Sequence, residues 1–515
     1  MALQTSRLRL RLLLLIFLSA SACQSQPSSK SITPSPAAGS NTPSPTEGPL
    51  TARINPLTGQ PAADPSLLKI PAVLVSITHF PATARPQSGL SFAPFVYEFY
   101  ITEGATRLLA VFYGQFPEVE LPVTGGCETR TAPFVATRVL LGNVVWLDSN
   151  RNGLQDPDEG GISGLCVNLY NTQGDLIART TTDSNGYYGF DVDPGHYSVE
   201  FVKPPGLEFT LRNAGDARSD SNPDPSDGRA SVNVSSDDLT VDAGLVAASS
   251  SLLTPVPASS LPPAQIGPIR SGRLIYQYIA HYFQDSCLIF GSASPEVLVH
   301  LPKCLIVFHE LANGGFMLDL NEMESVAQAN ARKKGSDFDY SGNTYGTEPP
   351  SGGLSATTLK VYIAYQNQSA WEYDPLYQGY VRYVDTSEYA QAGVLHPDTD
   401  RLTGRQLHVE NIIVLYAQHE VVEPTNLDIH LDPGRHGKAL LLRDGRVFQA
   451  EWQTQSSQDA AKGRIRPLRF LTPDEKPLPL KPGHTWILVV TPETSVEQID
   501  PGEWNLTFFM PPGAK

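Results

Sequence analysis

The stretch GNVVWLDSNRNGLQDPDEGGISGLCVNLYN, residues 142–171, places an acidic loop between two β-like runs. The loop matches the spacing of an EF-hand calcium loop, with ligand-type residues and a glycine at its first, third, fifth, sixth, ninth and twelfth positions, namely Asp148, Asn150, Asn152, Gly153, Asp156 and Glu159. In an EF-hand, however, two helices flank the loop and respond to calcium binding, whereas here the flanks are β-like. We therefore expect a structural calcium site in a β domain, with the carbonyl of Leu154 as one further ligand.

Short β-like runs continue on both sides of this loop, from about residue 138 to residue 247. Examples are LIARTTT, YYGFDV, HYSVEFVKP and LTVDAGL, which alternate with turn segments rich in Gly, Asn, Asp and Pro. Turn signals at intervals of about 8–12 residues are typical of a small β-sandwich. The spacing predicts an all-β module.

The residues around this module have a different character. Residues 52–120 and 264–345 mix apolar runs with helical patterns, and we expect them to form one α/β or α+β domain that the module interrupts at a surface loop. Residues 248–263 form a Ser/Pro linker, and the strand-rich residues 356–495 predict a mainly-β C-terminal domain. The fold class is therefore multidomain. The expected host elements are strands at Ala72–Ile77, Phe95–Tyr100, Arg107–Tyr113 and Cys287–Phe290, a helix at Ser271–Phe283 and a short helix in SPEVLVHL.

The N-terminus predicts export. Residues 1–23 contain a basic start, a short apolar run and small residues before Cys23, which resembles a bacterial lipoprotein signal with Cys23 as the lipidated residue. An ordinary signal peptide cut near Ala22 is the alternative. Residues 24–51 are rich in Ser, Pro and Thr and predict a disordered stalk. We expect a protein that is lipid-anchored to the extracytoplasmic face of the bacterial cell membrane.

The composition narrows the class of partner. Among 515 residues the formal net charge is -16, which disfavours nucleic acid as a partner and favours hard cations at acidic loops. Besides Cys23 the chain has four cysteines, and an exported chain can keep them as disulfides. Three pairings are possible. The local one joins Cys127 to Cys166 and Cys287 to Cys304, and buried free thiols are the alternative.

The module resembles the SdrD B-like domains of serine-aspartate-repeat adhesins. The residues that carry this resemblance are GNVVWLDSNRNGLQDPDEGGISGLCVNLYN, TTTDSNGYYGFDVDPGHYSVEFVKPPG and NAGDARSDSNPD. The resemblance implies a prealbumin-like sandwich that binds structural calcium. The family pattern adds five candidate calcium ligands, Asp183, Asn185, Asp216, Asp220 and Asp224. For Asp183 and Asn185, a plain turn without calcium is the alternative.

The flanking segments resemble the YerB-like lipoproteins, a family built on a domain of unknown function (number 3048) with N- and C-terminal parts. INPLTGQP, IGPIRSGRLIYQYIA and WEYDPLYQGYVRY are among the residues that carry the resemblance. It implies an envelope lipoprotein without an established reaction.

Charged residues at element ends of the host give two interpretations. One is a pocket that binds an anionic ligand through arginine, and the other is an internal Arg–Glu network that fixes loops. The candidate residues are Arg85, Glu98, Glu103, Arg107, Arg270 and Arg273. A run of aromatic residues likewise predicts either a binding platform or a core strand. The run comprises Trp371, Tyr373, Tyr377, Tyr380 and Tyr383.

No complete catalytic motif stands out, and we predict no catalytic residue. FHELANGG around His309 has only the first half of the HExxH zinc motif. The hypothesis is therefore a calcium-stabilised envelope protein that binds a cell-wall component or an envelope protein. An enzyme acting on envelope polymers, hydrolase or transferase, and a structural spacer are the alternatives.

Overall fold

The computed structural model describes residues 54–62, 64–81, 84–119, 127, 139–156, 159–183, 185–248, 263–307, 314–335, 337–375, 377–385 and 393–515. The predicted signal sequence with Cys23, the stalk, most of the linker at 248–263 and His309 lie outside these residues. Within the described part, no helix is long and apolar enough to cross a membrane.

The host begins with three strands and continues after the module. The first segment contains β1 (Val73–Thr78), β2 (Phe95–Thr102) and β3 (Ala105–Phe112), with 3₁₀ turns at Leu67–Lys69 and Leu90–Phe92. The second segment contains β12 (Gln265–Ile269), α1 (Tyr276–Tyr282), β13 (Cys287–Gly291), α2 (Pro295–Leu298), β14 (Leu305–Val307), β15 (Phe316–Asp319) and α3 (Leu320–Lys334). The expected strands are present within about two residues at their ends, and both expected helices are present but shorter than predicted, with α1 beginning at Tyr276 rather than at Ser271.

The module between these segments is a sandwich of two four-stranded sheets, in the orders β10-β8-β5-β6 and β7-β4-β11-β9. Alternating residues of both sheets, such as Val145, Val167 and Val199, meet in one apolar core. The predicted all-β module is confirmed. Its strands are β4 (Val139–Leu147), β5 (Cys166–Tyr170), β6 (Leu176–Thr181), β7 (Tyr187–Val192), β8 (Gly195–Phe201), β9 (Leu207–Phe209), β10 (Arg229–Val234) and β11 (Ala243–Ala247).

The C-terminal region is mainly β, as predicted, with one short helix, α4 (Ser457–Ala461). Its first strands are β16 (Thr344–Tyr345), β17 (Leu354–Ala364), β18 (Asn367–Asp374), β19 (Gly379–Asp385), β20 (Leu395–Pro397), β21 (His408–Val409), β22 (Asn411–Tyr416) and β23 (His419–Glu423). The remaining strands are β24 (Asn426–Ile429), β25 (His436–Arg443), β26 (Arg446–Gln453), β27 (Arg469–Leu471), β28 (Pro479–Leu480), β29 (Thr485–Val490), β30 (Ser495–Asp500) and β31 (Gly502–Thr507).

One sheet joins the two halves of the host. The N-terminal half supplies the order β14-β13-β1-β3-β2, and β2 pairs in parallel with β29 of the C-terminal half, with Phe95 opposite Thr485. The sheet then continues through β22, β25, β26 and β27. Every residue of β1 and of β29 is buried, which is typical of strands whose two faces are both covered. The host halves thus share a sheet and its two apolar cores.

Helix α3 was not among the predicted elements. Asp319 caps its first turn by accepting a hydrogen bond from the backbone N–H of Asn321, and Arg332, Lys333 and Lys334 occupy its last turn. Both features stabilise a helix, because they satisfy free N–H groups and oppose the helix dipole. Both the capping Asp and the basic last turn can be read from the sequence, so α3 was predictable.

The cysteines pair locally, as Cys127–Cys166 and Cys287–Cys304. The first disulfide ties β5 of the module to the segment that enters it, and the second links β13 to the residue before β14. The local pairing is confirmed.

Candidate functional site

The loop at 148–159 closes through its own side chains. Asp148 accepts hydrogen bonds from the N–H groups of Asn152 and Gly153, at 3.2 and 2.8 Å. Glu159 accepts one from Ser149 N at 2.7 Å, and Asp156 accepts from the side-chain amide of Asn152 at 2.7 Å. The loop therefore gathers the predicted ligand side chains around one turn.

The donor chemistry of this loop fits a hard cation. Its side chains offer carboxylate and amide oxygens, which are the ligands calcium prefers. Burial raises the pKa of Glu159 to about 7, and the charge of Asp148 adds to the shift, so a bound cation would stabilise the ionised carboxylate. Gly153 adopts φ +80°, and a Cβ at this position would lie 2.7 Å from the Cβ of Ala214. Only glycine fits this turn without strain.

The structure shows no ready-made metal cluster among the residues it describes, counting groups of three or more His, Cys, Asp and Glu side chains. The loop oxygens instead hydrogen-bond to N–H groups of the loop itself. A cation at this site would replace these hydrogen bonds. Calcium binding at this loop stays a prediction.

The other candidate ligands lie in two places. Asp220 is buried, Asp216 is exposed, and Asp224 is partly buried. Close to Asp220 lies Asp242, which is fully buried and has one carboxylate oxygen without a hydrogen-bond partner. Burial raises the pKa of Asp242 well above its ordinary value, and the charge of Asp220 adds to the effect. Asp242 lies in the run LTVDAGL but was not among the ligands predicted from the sequence.

Asp183 and Asn185 lie where the module meets the host. Asp183 accepts hydrogen bonds from Asn185 N and Tyr187 N, at 2.8 and 2.9 Å, and a further one from the hydroxyl of Tyr377 in the host. The side-chain amide of Asn185 donates to the carbonyl of Gln406 at 3.0 Å. In this structure these two side chains attach the module to the host.

Beside this contact is a cavity of about 250 Å³, here called the seam cavity. It lies between the calcium-type loop and the C-terminal region, so the loop faces the host. Burial raises the pKa of Glu410 to about 7 and lowers those of His408 and His484 to about 3 and about 4. The titratable residues lining it are Asp156, Glu159, Tyr187, Arg405, His408, Glu410 and His484.

The six charged candidates of the host separate onto the two faces of its sheet. Glu98 lies on one face, where it forms a salt bridge of 3.3 Å with Arg382 and accepts a hydrogen bond from Trp486 Nε1 at 2.9 Å. Arg382 is fully buried and also binds Asp398. For Glu98 the structure therefore matches the interpretation of an internal network, with Arg382 as the partner that sequence reasoning missed.

Arg85 approaches this network from the β1 side. Its Nε donates to the carbonyl of His79 at 3.0 Å, and burial lowers its pKa while the charge of Asp398 opposes the shift. Glu103 is elsewhere, exposed in the β2–β3 turn at φ 51°, and its backbone N–H donates to the carbonyl of Lys515. Arg85 and Glu103 thus lie in different parts of the host.

The remaining three arginines lie together on the opposite face of the sheet. Arg107 of β3 is buried beside Tyr276, the first residue of α1. The charges of Arg273 and Arg270 both act on Arg107. We call Arg107, Arg270 and Arg273 the arginine cluster.

The aromatic run is largely core. Trp371 and Tyr380 are fully buried, and Tyr377 is the residue that contacts the module. The face of the C-terminal region offers a different aromatic surface, an open groove of about 1340 Å³ that we call the host groove. Leu354, in its wall, is 57% exposed. The apolar and aromatic residues of the host groove include Leu354, Tyr416, Phe448, Trp452, Val496 and Trp504.

Comparison with protein families divides the chain in the same way. Residues 57–125 match the N-terminal domain, and residues 359–487 the C-terminal domain, of the proteins of unknown function DUF3048. Residues 139–245 match the SdrD B-like domain. The predicted combination of a host in two parts with an inserted SdrD B-like module is confirmed.

Curated relatives match through the module. Serine-aspartate repeat-containing protein F of Staphylococcus epidermidis is 40% identical over 116 residues, 22% of this chain and 6% of that protein. Serine-aspartate repeat-containing protein D of Staphylococcus aureus strain Newman is 43% identical over 106 residues, 20% of this chain and 8% of that protein. A fibrinogen-binding protein of Staphylococcus epidermidis is 49% identical over 77 residues, 15% of this chain and 7% of that protein. The matches thus span only a small part of each relative's length.

Among solved structures, the YerB protein from Bacillus subtilis aligns with a TM-score of 0.46 and 17% identity, over 85% of this chain and 96% of that one.

Proposed function

We propose that the chain is an exported, lipid-anchored envelope protein that binds a cell-envelope component or an envelope protein through its host, while calcium stiffens the inserted adhesin-type module. The host groove is the observation that carries the binding proposal. It is open and combines exposed apolar surface with polar side chains, as binding surfaces do.

The buried charge network weighs against the enzyme alternative at Glu98. Its carboxylate is 4% exposed and is engaged by Arg382, Trp486 and Thr106. A general acid or base must reach its substrate. Glu98 is therefore better placed to hold the sheet than to act on a polymer.

Binding at the host groove is tested by Leu354→Asp. A carboxylate in this exposed apolar wall is expected to weaken binding of the purified chain to isolated cell envelopes by about tenfold or more, because an unpaired charge must then be desolvated. The measurement is co-sedimentation with envelopes across a range of protein concentrations.

Val422→Asp is the matched control, because Val422 is also an exposed apolar strand residue, 54% exposed, and lies outside the groove lining. If both variants bind envelopes as the parent chain does, the host groove is not the binding surface.

Calcium is expected to raise the melting temperature of the intact chain. At 100 times its Kd, a ligand specific to the folded state adds about 2.7 kcal/mol to the free energy of unfolding. Asp148→Asn keeps the shape of the side chain but removes a charged ligand, and it is expected to abolish most of the shift. Differential scanning calorimetry with calcium and with EGTA measures the effect.

Asp175→Asn is the control for calcium, because Asp175 is an exposed carboxylate in the β5–β6 turn of the same module. A calcium shift that persists in Asp148→Asn, or is equally lost in Asp175→Asn, contradicts the assignment of the loop.

A further inference from the structure

The arginine cluster contains buried guanidinium nitrogens that have no hydrogen-bond partner. Arg107 is 5% exposed, and its Nε and Nη1 have no hydrogen-bond partner. The Nε of Arg273 is likewise buried without a partner. Arg270 donates from Nε to the carbonyl of Gly314 at 2.6 Å. Two of the three guanidinium groups thus retain free donors.

The electrostatic surroundings agree with this geometry. Burial, followed by the charges of Arg273 and Arg270, lowers the pKa of Arg107 to about 9. Burial also lowers the pKa of Arg273 and of Arg270. Among the described residues, no carboxylate contributes to the pKa shift of any of the three. The cluster therefore lacks a counter-ion within the described chain.

Other buried arginines of the same host do have counter-ions. Arg382 is held by Glu98 and Asp398, and the Nε of Arg443 lies 2.7 Å from the carboxylate of Asp444. A buried charge without a partner costs several kcal/mol. The fold meets this requirement at Arg382 and Arg443, whereas no residue that the structure describes meets it at Arg107, and an anion from outside the chain would.

We propose that the arginine cluster binds a phosphoryl group. The guanidinium fork matches two phosphoryl oxygens, and a cluster of three positive charges suits a dianion better than a single carboxylate. The hydroxyl of Tyr276, whose charge acts on Arg107, lies 2.7 Å from the hydroxyl of Ser76, and the pair offers further polar contacts. The inference rests on the proposed function in one respect, the source of the phosphoryl group. If the chain binds an envelope component, that component would carry the group as a phosphoester.

Inorganic phosphate is the first probe. Added to the intact chain at constant ionic strength, with chloride as the reference anion, it is expected to raise the melting temperature, because it binds the folded state. Calorimetric titration gives the Kd. If phosphate and chloride give the same melting temperature and the titration shows no binding, the proposal is wrong.

Arg107→Met separates a binding role from a structural one. Removing an unpaired buried charge is expected to leave the melting temperature without phosphate unchanged or higher, and to weaken phosphate binding about tenfold or more. A structural arginine would give the opposite result, a lower melting temperature with the phosphate shift intact. Arg273→Met gives the same test at a less buried position, and Arg332→Met, at an exposed residue of α3, controls for the lost charge.

Two further probes identify the source. Glycerol phosphate supplies a monoester, and a poly(glycerol phosphate) supplies phosphodiesters of an envelope-type polymer. Tighter binding of the polymer, lost in Arg107→Met, supports an envelope ligand, whereas binding of inorganic phosphate alone supports a small-molecule site. If the chain binds phosphate at Arg107 but not isolated envelopes, the proposed function fails and the arginine cluster stands.

Discussion

Replacing Arg382 with methionine is expected to lower the free energy of unfolding of the host by about 3–5 kcal/mol. Arg382 is fully buried between two carboxylates, with Glu98 at 3.3 Å and Asp398 closer still. Its guanidinium also lies over the ring of Trp486, at 4.5 Å from the centroid. Removing this cation takes the salt-bridge partner away from two buried carboxylates and leaves only the charge of Arg85 acting on them. The remaining desolvation cost sets the size of the effect.

Urea unfolding followed by tryptophan fluorescence measures the loss, since Trp371 and Trp486 contact Arg382 directly. Arg446→Met is the control, because Arg446 lies exposed in β26 of the same sheet, and we expect it to change the free energy by less than about 0.5 kcal/mol. An Arg382→Met midpoint equal to that of Arg446→Met would mean that the network does not hold the sheet.

Arg382 illustrates what sequence reasoning reached and what it did not. The run WEYDPLYQGYVRY suggests a binding or core role through its aromatic residues, but Arg382 within it forms the central salt bridges. Its partner Glu98 is 284 residues away along the chain. A local sequence pattern cannot predict such a pairing, because the pairing depends on how β2, β19 and β29 come together in three dimensions.

The elements that sequence did predict are those set by local chemistry. β1, β2 and β3 follow from short apolar runs bounded by turn residues, and the module follows from strands spaced by Asx and Gly turns. The parallel pairing of β2 with β29 was not predicted, because parallel strands are not joined by a short turn that could be recognised in the sequence. For the same reason the six charged candidates were grouped together, although β-strand alternation sends Glu98 and Arg107 to opposite faces.

The seam cavity gives the second large effect, a loss of stability with rising pH that depends on Glu410. Burial raises the pKa of this carboxyl to about 7, against the backbone N–H of His484 and the charge of Lys481, which both favour the ionised form. His408 Nε2 lies 3.9 Å from the carboxylate, and burial keeps that imidazole neutral by lowering its pKa to about 3. The charge of Lys481 therefore offsets only part of the cost of burying the ionised Glu410.

The sign of the pH effect follows from proton uptake on folding. An unfolded glutamate titrates at about 4.5, so between about pH 4.5 and 7 the folded chain holds more protons than the unfolded chain at this site. The free energy of unfolding therefore falls as pH rises through this window, by about 3 kcal/mol in all, and the contribution is constant above it. Glu410→Gln keeps the shape and removes the titration. We expect the variant to gain about 3 kcal/mol over the parent chain between pH 4.5 and 7.5.

The difference between variant and parent is the quantity to measure, because His408 and His484 act in the opposite direction. Their lowered pKa values mean that the unfolded chain takes up protons below about pH 6.5, which reduces stability on acidification. These contributions are common to both proteins and cancel in the difference to the extent that Glu410 does not perturb them. Glu493→Gln, at an exposed position, should give a difference curve that is flat with pH. Since the seam cavity lies between module and host, a flat curve for Glu410→Gln as well would show that this carboxyl is hydrated in solution and that the seam is open to water.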